Sequence, residues 1–203
     1  MPIGQVIAER YRVIAALGEG TFGAVYEVLR LADGQRFAMK ILKDEVSTAE
    51  SRARLRREAT ALSTLAHPSV VAVVELGEHE GRLFLVTELL VGTALDAVLA
   101  EGMLAPELAL KIMDRVLGGL AFAHAMGVAH RDLKPGNVFL VGGLMNPDAL
   151  QVKLLDFGLA KFHEPAAFGH RQPDDRYTDA RAMRTALSRL PKDRPAVSSG
   201  QAR

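Results

Sequence analysis

The feature that most constrains this chain is a change of hydrophobic period part-way along it. The first part is built mainly from short strand-type runs: YRVIAALGEG at 11–20, AVYEVLRL at 24–31, RFAMKIL at 36–42, SVVAVVELG at 69–77 and RLFLVTELL at 82–90. Each is β-branched or aromatic and bounded by turn residues, as in GEGTFG and ADGQ. One interruption, at 48–66, sets Leu55, Leu62 and Leu65 with Ala59 and Ala66 on a single helical face and stops at His67-Pro68. Beyond VGTAL the period becomes helical through PELALKIMDRVLGGLAFAHAMG at 106–127. Two short β runs follow, NVFLV and QVKLLDF. A chain that is mostly β and then mostly α predicts an α+β fold of two lobes, with the boundary near Glu88 to Gly92.

Composition removes several functional classes. Lys and Arg number 25 against 24 Asp and Glu, so no global basic field directs the chain to nucleic acid or an anionic membrane. With no cysteine there is no disulfide framework, thiolate metal site or cysteine nucleophile. The N-terminus lacks a basic start followed by an apolar core, and no run of about 18 uncharged apolar residues occurs. The expectation is a soluble cytoplasmic chain without a membrane segment, whose ligand is recognised locally.

Gly18, Gly20 and Gly23 form G-x-G-x-x-G in LGEGTFGAV. A dinucleotide fingerprint needs a helix directly after its glycines, whereas AVYEV reads as a strand. The stretch is therefore a hairpin flap whose bare backbone N–H groups can approach phosphate oxygens. Lys40 lies in the apolar strand FAMKIL, and Glu58 falls within the apolar stripe of the 48–66 helix, three after Leu55 and four before Leu62. A carboxylate placed there needs a partner, and Lys40 is the economical one.

AHRDLKPGNVFL, at 129–140, brings together an acid, a cation and an amide. Asp132 can accept a hydroxyl proton, Lys134 can neutralise a phosphoryl group in transit, and Asn137 offers a carbonyl oxygen to a divalent cation. Asp156, in LLDFG, adds an anionic oxygen, and Gly158 lets the chain turn beside it. Phosphoryl transfer uses such a set.

Together GEGTFGAV, FAMK, RREATALSTLAHPSVV, LVTELLVG, HRDLKPGN and DFG resemble the serine/threonine protein kinases in their bacterial, eukaryotic-like branch. The resemblance implies a two-lobe fold, a β-rich N-lobe (1–88) with one regulatory helix and an incomplete helical C-lobe (89–160). It implies ATP between the lobes, beneath Leu17, Gly18, Gly20 and Gly23, with the adenine edge on the backbone of Glu88 and Leu90 and Thr87 at the back. Val25, Ala38 and Phe139 would sandwich the ring, while Leu62, Val73, His130 and Phe157 would stack as an internal spine. Lys40, paired with Glu58, would hold the α and β phosphates, Asn137 and Asp156 would hold Mg2+, and Asp132 would be the catalytic base. Lys134 after HRDL implies serine or threonine hydroxyls of a protein as acceptors.

The family pattern should continue from DFG to an Ala-Pro-Glu motif and a central helix, and residues 162–203 contain neither. The 161–203 stretch is polar, basic and proline-interrupted, and is expected to be a poorly ordered tail on a catalytic domain truncated after DFG. Its LPKDRP resembles a late C-lobe element, in which Arg194 would have lost its glutamate. Such a chain would bind nucleotide weakly and phosphorylate protein poorly or not at all. Two other readings share the motifs: an ATP-binding pseudokinase-like remnant acting by docking, and a small-molecule phosphotransferase with an H-x-D-x-x-x-x-N core.

Overall fold

The computed structural model describes residues 1–20, 23–42, 56, 60, 63–142, 149–157 and 180–188. Strands β1 (Val6–Ile7), β2 (Tyr11–Gly20), β3 (Gly23–Arg30), β4 (Arg36–Leu42), β5 (Val73–His79) and β6 (Arg82–Glu88) form one antiparallel sheet ordered β1-β2-β3-β4-β6-β5. Alternation sorts the side chains. On β4, Phe37, Met39 and Ile41 are buried in a cluster with Tyr11, Val13, Val28, Phe84 and Val86. The residues between them, Ala38 and Lys40, must then point to the opposite face. Register completes that face: Lys40 lies between Val25 and Leu85, and Ala38 lies opposite Thr87. Arg56, Thr60 and Ser63, from the segment read as a helix at 48–66, are helical.

The chain leaves the first sheet at Glu88 and enters a second, ordered β7-β8-β9, comprising β7 (Gly92–Ala94), β8 (Val138–Val141) and β9 (Gln151–Leu154). Helix α1 (Leu95–Glu101) follows β7, and α2 (Pro106–Ala125) follows α1. Pro106 at the first helical position needs no N–H partner, and Gly127, at φ 75°, takes the left-handed turn beyond the end. Ile112, Val116, Leu117, Leu120 and Ala123 form the buried stripe of α2, packed with Val138, Leu140, Val152 and Leu154. No helix among the described residues is long and apolar enough to cross a membrane.

Three local readings change. SVVAVVELG is a strand only from Val73, because Ser69 to Ala72 pair elsewhere: Leu154 N donates to Ser69 O at 2.9 Å and Val71 N to Leu154 O at 3.0 Å. Strands β1 and β7 carry no readable period at two and three residues. Within the stretch expected to be a polar tail, Ala180–Ser188 forms helix α3. Its Ala180 is buried, Leu187 packs on the same core, and Arg184 grips Asp114 of α2 through Nε at 2.7 Å and a second nitrogen at 3.1 Å. Short amphipathic helices of this kind take their stability from the partner they dock on, which a reading of the isolated stretch cannot supply. The remaining residues of 161–203, Arg194 among them, lie outside the described ones.

Two adjacent glycines inside α2 carry a stability prediction. A Cβ on Gly119 would stand 3.1 Å from Ser69 O, an atom pinned by Leu154 N, and 3.0 Å from Leu154 Cδ1. A Cβ on Gly118 would meet only the guanidinium end of Arg184, at 3.3 Å. Replacing a helix-interior glycine by alanine contributes about 1 kcal/mol where nothing collides. Gly118→Ala should therefore be neutral or stabilising, and Gly119→Ala destabilising by about 1–3 kcal/mol. Urea titrations of the two variants check this, and equal midpoints would contradict it.

Candidate active site

Between the sheets lies a cavity of about 510 Å³, a volume suited to a nucleotide-sized ligand. Its lining includes Leu17, Gly18, Val25, Ala38, Lys40, Thr87, Glu88, Leu90, Phe139 and Asp156, all singled out from the sequence. Gly20 and Gly23 are not in the lining; they pair with each other where β2 turns into β3. Gly23 is held at φ 152°, and a Cβ there would lie 2.0 Å from Ile41 O, so the turn is closed to other residues.

Lys40 and Asp156 meet at the cavity wall, with Lys40 Nζ 2.6 Å from Asp156 Oδ2. The sequence reading paired Lys40 with Glu58, which lies outside the described residues together with Leu62 and Gly158. Asp156 is one of two non-glycine residues near the site with left-handed backbone, at φ 51°; the other is Arg131, at 61°. Such conformations cost roughly 1–3 kcal/mol each and persist only where surrounding contacts impose them.

The 129–140 stretch forms a compact hydrogen-bonded turn. Asn137, in a 3-10 turn at Pro135–Asn137, donates its amide to Asp132 O at 2.8 Å and to Asp132 Oδ2 at 3.2 Å. Lys134 Nζ donates to the same Oδ2 at 2.9 Å. Partial burial pushes the Asp132 carboxyl up, but the Lys134 hydrogen bond and charge and the Asn137 amide together outweigh it, so the net shift is downward and Asp132 is a carboxylate at neutral pH. This turn is tied to the cavity wall through Leu155, whose N–H donates to Asn137 O at 2.9 Å and whose carbonyl accepts from His130 Nε2 at 2.8 Å. His130 also lies against Phe157, with ring centroids 4.5 Å apart.

Two oxygen donors at the site could hold a divalent cation. With its amide nitrogen on Asp132, Asn137 has its carbonyl oxygen left for a cation, and Asp156 supplies a carboxylate. Among the described residues no three His, Cys, Asp or Glu gather as a metal cage.

Residues 11–180 match the protein kinase domain family. This chain belongs to that family. Among curated relatives, it is 38% identical over 167 residues to the serine/threonine-protein kinase pkn2 of Myxococcus xanthus, covering 82% of this chain and 20% of that one. It is 35% identical over 162 residues to the serine/threonine-protein kinase PrkC of Bacillus subtilis, covering 79% and 24%. The chain thus spans about a quarter or less of these two relatives. The crystal structure of the Mycobacterium tuberculosis PknI kinase domain is similar with a TM-score of 0.71 at 29% identity, covering 93% of this chain and 74% of that one.

Several lining residues of this kinase-family chain escaped the sequence reading: Val70, Val71, Leu85, Leu89, Gly92 and Leu155. Leu85 was legible in principle, since it shares the face of Thr87 two residues on. The others lie in connectors or, for Gly92, at the start of the three-residue β7, where no period reveals the side they face.

His130 carries a pH prediction. Burial lowers its pKa, against the opposing pull of Leu155 O and the Asp132 and Asp156 charges. Its Nδ1 is buried without a hydrogen-bond partner among the described residues. The unfolded chain therefore takes up this proton first, so stability is full above the unfolded value of about 6.5 and is lost as pH falls below it. The Tm of the native chain should fall more steeply between about pH 7.5 and 5 than that of His130→Phe. His67, lowered by burial too, is common to both proteins and cancels in the comparison. Parallel curves would contradict the assignment.

Proposed function

We propose that this chain is the nucleotide-holding and catalytic part of a serine/threonine protein kinase, which transfers the γ-phosphoryl group of ATP to a protein hydroxyl. The observation that carries the reading is the meeting of Lys40 and Asp156, 116 residues apart in the chain, at the cavity wall, with Leu155 tying that wall to the Asp132–Asn137 turn. Adenine would sit between Val25 and Ala38 above and Phe139 below, in front of Thr87. Glu88 N is bonded to Ala72 O, so the Glu88 carbonyl and the Leu90 N–H are the groups for the adenine edge.

Lys40, freed from Asp156 by the incoming phosphates, would hold the α and β phosphate oxygens. Asp156 and Asn137 would hold magnesium, which when bound neutralises phosphate charge. Asp132, kept ionised by Lys134 and Asn137, would accept the acceptor's hydroxyl proton, and Lys134 would offset the charge of the phosphoryl group in transit. The names of pkn2 and PrkC, both serine/threonine-protein kinases, support the choice of acceptor. The cytoplasm, where ATP is held, is the compartment this chemistry requires.

Two experiments test the proposal. With purified chain, labelled ATP and a basic acceptor protein, transfer should be weak, and Asp132→Asn should lower it by about 100-fold or more; measurable transfer equal in both would remove Asp132 from the role of base. Asp156→Ala should abolish nucleotide-dependent magnesium binding, and undiminished binding in that variant would overturn the metal assignment.

A further inference from the structure

Lys153 of β9 has no part in the reaction described above, yet it is among the most shielded cations of the described residues, with 13% of its side chain exposed. Its Nζ donates to Glu88 Oε1 at 2.6 Å and lies 3.4 Å from Val70 O. The same Glu88 oxygen accepts from Ala72 N at 2.8 Å, while Glu88 N donates to Ala72 O at 3.0 Å. Three segments therefore meet on one carboxylate: the exit of β6, the 69–72 connector and β9. The connector's other edge is bonded to Leu154, two residues before Asp156.

We propose that Lys153, acting through Glu88, is a positioning residue that holds the adenine-contact backbone and Asp156 at a set distance from each other. This rests on the nucleotide reading above and adds a residue to it. The physical reason lies in the two ends of the cavity. Adenine is held by the backbone that follows β6, and the metal and phosphates by Asp156, which follows β9. These elements belong to different sheets, and the Lys153–Glu88 pair is a direct side-chain bond between them. Without the ammonium, the Glu88 carboxylate keeps only Ala72 among the described residues, and the exit of β9 is referenced to the exit of β6 through the connector alone. A displacement of about 1 Å at a reacting or ligating group is enough to weaken its function up to 100-fold. A ligand that touches only the adenine end would not register the change, whereas a ligand that spans both ends would.

The test is equilibrium binding of two probes, adenosine and magnesium-ATP, to the full chain and to Lys153→Met, Lys153→Arg and Asp156→Ala. Lys153→Met should raise the Kd for magnesium-ATP about tenfold, the effect typical of losing a residue that orients a metal-binding group. Adenosine affinity should stay within about twofold, which also reports that the variant is folded. Lys153→Arg, which keeps a cation on Glu88, should recover most of the loss, and in turnover the KM for ATP should rise more than kcat falls. Equal loss of both probes in Lys153→Met would mean general damage and overturn the proposal, as would unchanged magnesium-ATP binding. If the wild type binds magnesium-ATP in an Asp156-dependent way while Lys153→Met behaves like it, only the positioning role fails. Should the wild type bind neither probe, the nucleotide reading fails and takes the proposal with it.

Discussion

The backbone seam at Leu154 is the contact on which the rest depends. Leu154 N donates to Ser69 O and its carbonyl accepts from Val71 N, which joins the connector ahead of β5 to the last strand of the other sheet. The Leu154 side chain is fully buried and packs against Gly119 of α2, where a Cβ would crowd the Ser69 carbonyl at 3.1 Å. Backbone hydrogen bonds in a buried, apolar setting are costly to leave unmade, so the seam resists slippage by even one residue. With it in place, the exit of β9 must bring Leu155, Asp156 and Phe157 to the cavity wall.

Charge then organises what the seam brings together. Lys40 and Asp156 neutralise each other, Lys134 sits on Asp132, and Lys153 sits on Glu88, each cation engaged by a carboxylate. An ammonium and a carboxylate drawn partly out of water lose solvation that only a close partner restores. In the first pair that partner is exchangeable, because phosphate oxygens can take the place of Asp156 on Lys40. In the third it is not, since Glu88 also closes the connector's N–H. The left-handed backbone of Arg131 and Asp156 is the local cost of pointing loop residues at one cavity from two directions.

Much of this was legible in the sequence. Alternation on RFAMKIL already separates Ala38 and Lys40 from Phe37, Met39 and Ile41, and the observed core has that division. The helical period of 106–127 locates α2 and its buried stripe. The loop residues Asp132, Lys134 and Asn137 were readable as a set because they act within six residues of one another, and the structure brings them into one hydrogen-bonded turn. Elements too short for a period, such as β1 and β7, were not legible. Neither was α3, whose place is decided by Asp114 and the α2 surface rather than by its own composition.

The sequence by itself determined which chemical groups are available and the side of each element on which they stand, because alternation, helical period and glycine turns are properties of neighbouring residues. Which group meets which was decided only in the tertiary structure. Lys40 could be assigned a carboxylate from the sequence, but its contact with Asp156 spans 116 residues, and that of Lys153 with Glu88 spans 65. A cation's partner depends on the segments that hydrogen bonding and packing carry to within about 3 Å of it, and on how much water they exclude there. Neither quantity is written in local pattern.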